Sequence, residues 1–258
     1  MSLIPDVAPG VNFDLTDWKI TLPVNSKGSA SGKAYEVKNL VNYENSKYFY
    51  TADDGAMVFY APVKGATTSG SKYVRSELRE MDNGRVAGWT TDEGGHMAAT
   101  LEVDQAPIKT NGDAGRLIVG QVHGEDDELV RIYWDNEDIY FINDRAGSKN
   151  KETKFQLRDE NGDTPDVSLN ERFSYRIDVS GDVLDVRVYA DGKEYKSITK
   201  INKVWQDDEL YFKAGAYLGV NSDSGRGAGQ VSFYQLDISH DANKIPELIG
   251  VPEGDFPA

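Results

Sequence analysis

Residues Tyr73–Glu80 read YVRSELRE. As a β-strand this run sends Arg75, Glu77 and Arg79 to one face and Val74, Ser76, Leu78 and Glu80 to the other. Two guanidinium groups then flank one carboxylate. Alone, the pattern describes a cross-strand salt ladder on a solvated face, which is common and contributes little. Two later runs repeat the layout. In LIVGQVHG, Gln121 and His123 share a face; in YFKAGAYLGV, Tyr211, Lys213 and Tyr217 share one, backed by Phe212, Ala214, Ala216 and Leu218. Three strands that gather functional groups on one side and small or apolar groups on the other predict a polar sheet surface laid over a core.

The surrounding chain carries the same signature. Trp18–Leu22, Tyr48–Thr51, Met57–Ala61, His96–Val103, Leu129–Trp134, Ile139–Asn143, Phe173–Val179, Val183–Tyr189 and Gln230–Ile238 read as further strands, separated by turn dipeptides such as the AspGly at 191 and 192. Tyr35–Tyr50 fits neither period cleanly. Helical periodicity is almost absent. The expectation is an all-β fold, a β-sandwich jelly roll of two antiparallel sheets. Nothing repeats at a fixed period and no linker divides the chain. Residues 13–240 are therefore expected to form one domain, between an N-terminal lead of residues 1–12 and a C-terminal tail of residues 241–258.

Composition narrows the function classes. The chain has 258 residues, 39% of them hydrophobic, with 25 glycines and no cysteine, so disulfides, thiol catalysis and cysteine zinc sites are all excluded. No run approaches the roughly eighteen apolar residues of a membrane span. A net charge of −15 argues against nucleic acid as a partner. The N-terminus MSLIPDV lacks the basic segment and apolar core of a secretory signal. The acidic clusters at Asp53 and Asp54, 125–128 and 207–209 lack the spacing of a calcium loop and read as solvated turns, so no cofactor is expected. His96 and His240 read as structural.

RSELR, QVH and YFKAGAY, in that order, resemble the three signature regions of the alginate lyases of polysaccharide lyase family 7, and FDLTDWKITLP resembles the segment with which such domains begin. The resemblance runs from Phe13 to the strand around Val231–Ile238. It implies a jelly roll whose concave sheet forms a substrate groove, a monomeric enzyme acting on an anionic polysaccharide, and secretion or a periplasmic location, with a leader outside the sequence in hand. It also implies a catalytic set of Arg75, Gln121, His123 and Tyr217. Substrate-binding roles are expected for Arg79, Lys213, Tyr211 and Glu77, the last by orienting Arg75 and Arg79. Two departures stand out: Leu218 and Gly219 replace the Asn and Gln that often follow the last tyrosine, and Val122 stands where other members carry isoleucine.

These residue types suit the cleavage of an O4-linked uronate without water. The C5 proton lies α to a carboxylate, and neutralising that carboxylate lets it accept charge as an enediolate. Arg75 and Gln121 are suited to that task, and His123 and Tyr217 to moving protons. Where H5 and O4 lie on the same side, as in mannuronate, one tyrosine can serve as both base and acid. In guluronate they lie on opposite sides, which suits His123 as base and Tyr217 as acid. Binding a polyanion to an acidic body requires Arg75, Arg79, Lys213 and His123 to form a local positive groove. The alternatives are a glycoside hydrolase of similar fold, which needs a pair of carboxylates across the bond, and a non-catalytic carbohydrate-binding jelly roll. The polar loops Lys27–Lys33 and Lys149–Asp163 are candidate lids.

Overall fold

The computed structural model of the chain describes residues 3–248; residues 249–258 of the expected tail, and residues 1 and 2 of the lead, lie outside the described residues. Two antiparallel sheets face each other. One runs in the order Thr153–Gln156, Asp138–Asn143, Glu128–Asp135, Leu117–His123, Tyr211–Leu218, Arg75–Asp82, Trp18–Leu22, Tyr35–Lys38. The other runs Lys193–Lys200, Val183–Ala190, Arg172–Ser180, Gly95–Gln105, Ala228–Ser239, Met57–Pro62, Phe49–Thr51. Sequential hairpins at the sheet edges are joined through non-sequential neighbours at the centre, Leu117–His123 beside Tyr211–Leu218 in one sheet and Gly95–Gln105 beside Ala228–Ser239 in the other, as a jelly roll requires.

Turn chemistry sets the hairpins. Asn136 and Glu137, at φ 53° and 78°, reverse the chain between Glu128–Asp135 and Asp138–Asn143. Asp191 and Gly192, at φ 52° and 68°, do so between Val183–Ala190 and Lys193–Lys200. Both are two-residue loops with positive φ at each position, whose twist matches that of paired strands. The ambiguous Tyr35–Tyr50 stretch resolves into strands Tyr35–Lys38 and Phe49–Thr51, and the lead contains a single helical turn, Pro9–Asn12.

Between the sheets lies one continuous core. Phe49, Phe59 and Phe233 pack in a chain with ring centroids 5.3 Å apart at each step, and Trp134, Trp205, Phe173 and Phe212 are fully enclosed. This packing fixes the face each strand turns outward. Leu78, Val119, Val122, Phe212, Ala214, Ala216 and Leu218 are core members, so their strand neighbours project from the opposite side.

Candidate active site

The three motif strands are adjacent in the first sheet, with Tyr211–Leu218 in the middle. On one side Tyr217 lies opposite Arg75, Gly215 opposite Glu77 and Lys213 opposite Arg79. On the other, Tyr211 lies opposite His123 and Lys213 opposite Gln121. The pairing shifts between Ala214 and Tyr217, where the middle strand carries one residue more than its partner. Such a bulge shifts the register against Leu117–His123, while the pairing with Arg75–Asp82 runs unbroken and sets Tyr217 beside Arg75. Gly215 makes the bend feasible: its φ is +143°, and a Cβ there would sit 2.6 Å from the Ser76 carbonyl oxygen and 2.9 Å from the Glu77 Cα.

Beneath the groove floor the hub is Glu77, only 1% exposed. Its carboxylate accepts from Arg75 Nη1 at 2.9 Å, from Lys213 Nζ at 2.6 Å and from Gln121 Nε2. Burial alone would raise this carboxyl; Lys213 and Arg75 more than offset it, and Glu77 stays ionised below the usual carboxylate range. Two cations share the one carboxylate, however. Burial and the Arg75 charge accordingly push the Lys213 ammonium down to about 8, in spite of Glu77.

The salt ladder on a solvated face is thereby corrected: the ladder is buried, which changes its energetics. Glu77 lies outside the groove lining and cannot touch a polymer, so its part is to organise the cations. It bonds Arg75 but not Arg79, whose guanidinium carbon instead lies 3.8 Å from the centroid of the Tyr211 ring. Gln121 is completely buried with its amide on Glu77. In this arrangement its Nε2 faces the hub beneath the groove floor.

The other candidates do line the groove, together with Lys19, Thr21, Lys33, Glu36 and the Thr68–Ser71 turn. The Arg75 guanidinium carbon lies 3.6 Å from the Tyr217 ring centroid, and the Tyr217 hydroxyl is 2.9 Å from Ser71 Oγ. The Tyr217 ring also packs against a small apolar cluster of Ile118, Tyr133, Tyr140 and Ile142 on the groove side of the sheet. His123 stacks on Tyr211, with centroids 5.0 Å apart and planes 12° from parallel. Its Nδ1 is 2.6 Å from the Gly124 carbonyl, which can only accept, so Nδ1 carries the proton and Nε2 keeps its lone pair. Burial and the Lys213 charge hold the imidazole down at about 4, so it is neutral at ordinary pH. Burial pushes the Tyr211 phenol up to about 12.

The expected positive groove holds for the floor alone. Lys19, Arg75, Arg79 and Lys213 lie along it, while Glu36, Glu125 and Asp126 stand exposed at the edges and Glu128 is 3.5 Å from His123 Nε2. Lys19 and Ser71 went unnoticed in the sequence; Lys19 could have been found from the alternation of WKITL, Ser71 only from the folded chain. Of the two candidate lids, Lys33 reaches the groove, whereas Lys149–Asp163 contributes no lining residue and instead supplies the edge strand Thr153–Gln156. His96 bonds Asp178 at 2.7 Å and His240 bonds Glu80 at 2.6 Å, both away from the groove. Among the described residues no group of three or more metal-ligating side chains converges.

A family model described as alginate lyase matches residues 13–240. An alginate lyase of Klebsiella pneumoniae is 31% identical over 290 aligned positions, covering 92% of each chain. Its crystal structure superposes with a TM-score of 0.79 at 30% identity, over 92% of this chain and 99% of that one. The alginate lyase of Corynebacterium sp. gives 0.72 at 30% identity, over 92% and 99%, and an alginate lyase from polysaccharide lyase family 7 gives 0.72 at 30%, over 91% and 99%. The sequence motifs, the jelly roll and these matches agree: the chain belongs to the alginate lyases of polysaccharide lyase family 7.

Proposed function

We propose that the protein cleaves alginate by β-elimination in this groove, leaving a 4,5-unsaturated uronate at the new end. The observation that carries the reading is the juxtaposition of a neutral His123 with an unprotonated Nε2, the Tyr217 hydroxyl, and the Arg75 and Lys213 cations on one groove floor. Arg75 and Lys213 neutralise the uronate carboxylate, so charge leaving C5 can spread onto it. A base takes H5, the C5–H electron pair becomes the C4–C5 double bond, and the C4–O4 pair departs onto O4, which takes a proton from Tyr217. On guluronate His123 is the base; on mannuronate Tyr217 can serve as both base and acid. Gln121 acts through Glu77, which keeps both cations pointed at the groove.

The positive charge that a metal could bring is already supplied by the floor, so the reaction is proposed to run without one, in a monomer. Among the described residues no helix is long and apolar enough to cross a membrane. A polymeric substrate favours action outside the cytoplasm. A hydrolase reading is weaker: of the groove carboxylates, Glu36, Glu125 and Asp126 stand at its edges and Glu128 lies against His123 and Arg131, while Glu77 is enclosed beneath the floor.

The test is ultraviolet absorbance during incubation with alginate, and separately with mannuronate-rich and guluronate-rich blocks. A rise from the conjugated unsaturated uronate is expected. His123→Ala and Tyr217→Phe should lose turnover while keeping polymer affinity. New reducing ends with no absorbance change would mean hydrolysis and overturn the proposal.

A further inference from the structure

Ser71 sits in the turn that follows Thr67 and is held there by its own backbone: Ser71 N–H donates to the Thr68 carbonyl at 3.1 Å. Its hydroxyl makes three contacts. Tyr73 N–H donates to Oγ at 3.0 Å, the Tyr73 carbonyl oxygen lies 3.2 Å away, and the Tyr217 hydroxyl 2.9 Å away. Among the described residues Ser71 is the one hydrogen-bond partner of the Tyr217 hydroxyl.

A serine hydroxyl has one proton and two lone pairs. One lone pair is taken by Tyr73 N–H. With the proton turned to the Tyr73 carbonyl, the second lone pair accepts from a neutral Tyr217. With the proton turned to Tyr217, the serine donates to a phenolate, and the Tyr73 N–H behind it polarises the bond further. The carbonyl and the phenol thus offer the serine proton two alternative positions, one matched to each protonation state of the tyrosine. The ring cannot swing to find another partner, because Arg75 covers one face and the Ile118 cluster packs against it.

We propose that Ser71 is a positioning residue for Tyr217. It holds the hydroxyl over the groove and, by rotating its own proton, stabilises the phenolate left when Tyr217 protonates O4 of the leaving sugar. This assignment rests on the elimination reading above. The C4–O4 bond breaks with its electron pair on O4, the Tyr217 proton joins that oxygen, and the negative charge left on Tyr217 meets the Ser71 hydroxyl. No proton is lost from the serine.

The test compares Ser71→Ala and Ser71→Thr with the parent enzyme in the alginate absorbance assay, together with polymer affinity measured directly. Removing one hydrogen bond to a charged group should lower kcat by about tenfold to a hundredfold. On guluronate-rich blocks, where Tyr217 starts as the phenol, KM and affinity should stay within about twofold, because the bond strengthens only as the phenolate forms. Threonine keeps the hydroxyl and the same local turn, so Ser71→Thr should recover most of the lost turnover. An unchanged kcat in Ser71→Ala overturns the assignment. So does a loss confined to KM, which would make Ser71 an ordinary groove contact, or a Ser71→Thr variant as slow as Ser71→Ala. No absorbance rise from the parent enzyme would overturn the elimination reading and this role together; a normal parental rise with an unimpaired Ser71→Ala overturns the serine's role alone.

Discussion

Replacing Lys213 with methionine should stabilise the protein while disabling it. Removing one partner of a buried ion pair ordinarily costs several kcal/mol, because the other charge is left unpaired. Here the sign reverses, since Arg75 and Lys213 share the single carboxylate of Glu77 at 2.9 and 2.6 Å. The parent triad carries one excess positive charge, and Lys213→Met leaves a balanced Arg75–Glu77 pair. The magnitude follows from the ammonium itself, pushed from 10.5 down to about 8. At neutral pH its charged form therefore costs on the order of 3 kcal/mol relative to the unfolded chain.

A gain of about 2–3 kcal/mol is expected at pH 7, or roughly 4–12 °C in Tm for a chain of this size. The pH dependence fixes the cause. Between about 8 and 10.5 the unfolded parent holds a proton that the folded parent has released, so parent stability rises with pH across that window. The advantage of Lys213→Met should shrink over the same window. Denaturant unfolding at pH 7 and pH 9.5 reads both effects, and the alginate assay should show kcat/KM reduced at least about tenfold, as expected for a lost charge-assisted contact. Glu77→Gln is the opposing control: it leaves two buried cations without a carboxylate and should lose about 3–5 kcal/mol. A Lys213→Met variant less stable than the parent at pH 7 would refute the excess-charge argument.

Two further outcomes test other parts of the floor. The His123 ring proton signals, followed by NMR against pH, should titrate with a midpoint near 4 rather than 6.5, the imidazole being neutral above and protonated below; a midpoint above 6 would remove the case for a ready base. Gly120→Ala should destabilise the fold by about 1–3 kcal/mol through overpacking, because its Cβ would lie 2.3 Å from the Tyr175 hydroxyl oxygen. Adding Tyr175→Phe should recover part of that loss, and an additive double variant would show that the crowding lies elsewhere.

How far the sequence could be read depended on range. Alternation within Arg75–Asp82, Leu117–His123 and Tyr211–Leu218 assigns each side chain to a face, because that period is local and the core enforces it. The two-residue turn at Asp191–Gly192 was visible for the same reason. What stayed hidden depends on cross-strand register. RSELR shows that Glu77 lies between two arginines, yet the strand at Tyr211–Leu218 brings Lys213 and Gln121 to it and leaves Arg79 to Tyr211. The depth of Gln121 was equally illegible, since alternation distinguishes faces but not how far a side chain rises from one. Ser71 reaches Tyr217 across 146 positions of chain, and no local pattern marks such a contact.

The charge layout also bears on how an acidic body of net charge −15 handles a polyanion. Exposed carboxylates at Glu36, Glu125 and Asp126 make the groove edges inhospitable to a uronate, and in water their effect fades beyond roughly 8–10 Å at ordinary salt. On the floor, Arg75 and Lys213 are shielded from solvent, so their field is less screened and acts at close range. Under the proposed mechanism a sugar gains from them only when its carboxylate descends beside Tyr217 and His123, the position from which elimination would proceed. Attraction is thereby concentrated on the reacting unit, and binding energy is directed to the stage at which charge moves onto the carboxylate. The energetic cost borne by Lys213 in the folded protein follows from that arrangement: an ammonium kept short of counter-charge in the free enzyme is one that a developing enediolate can satisfy.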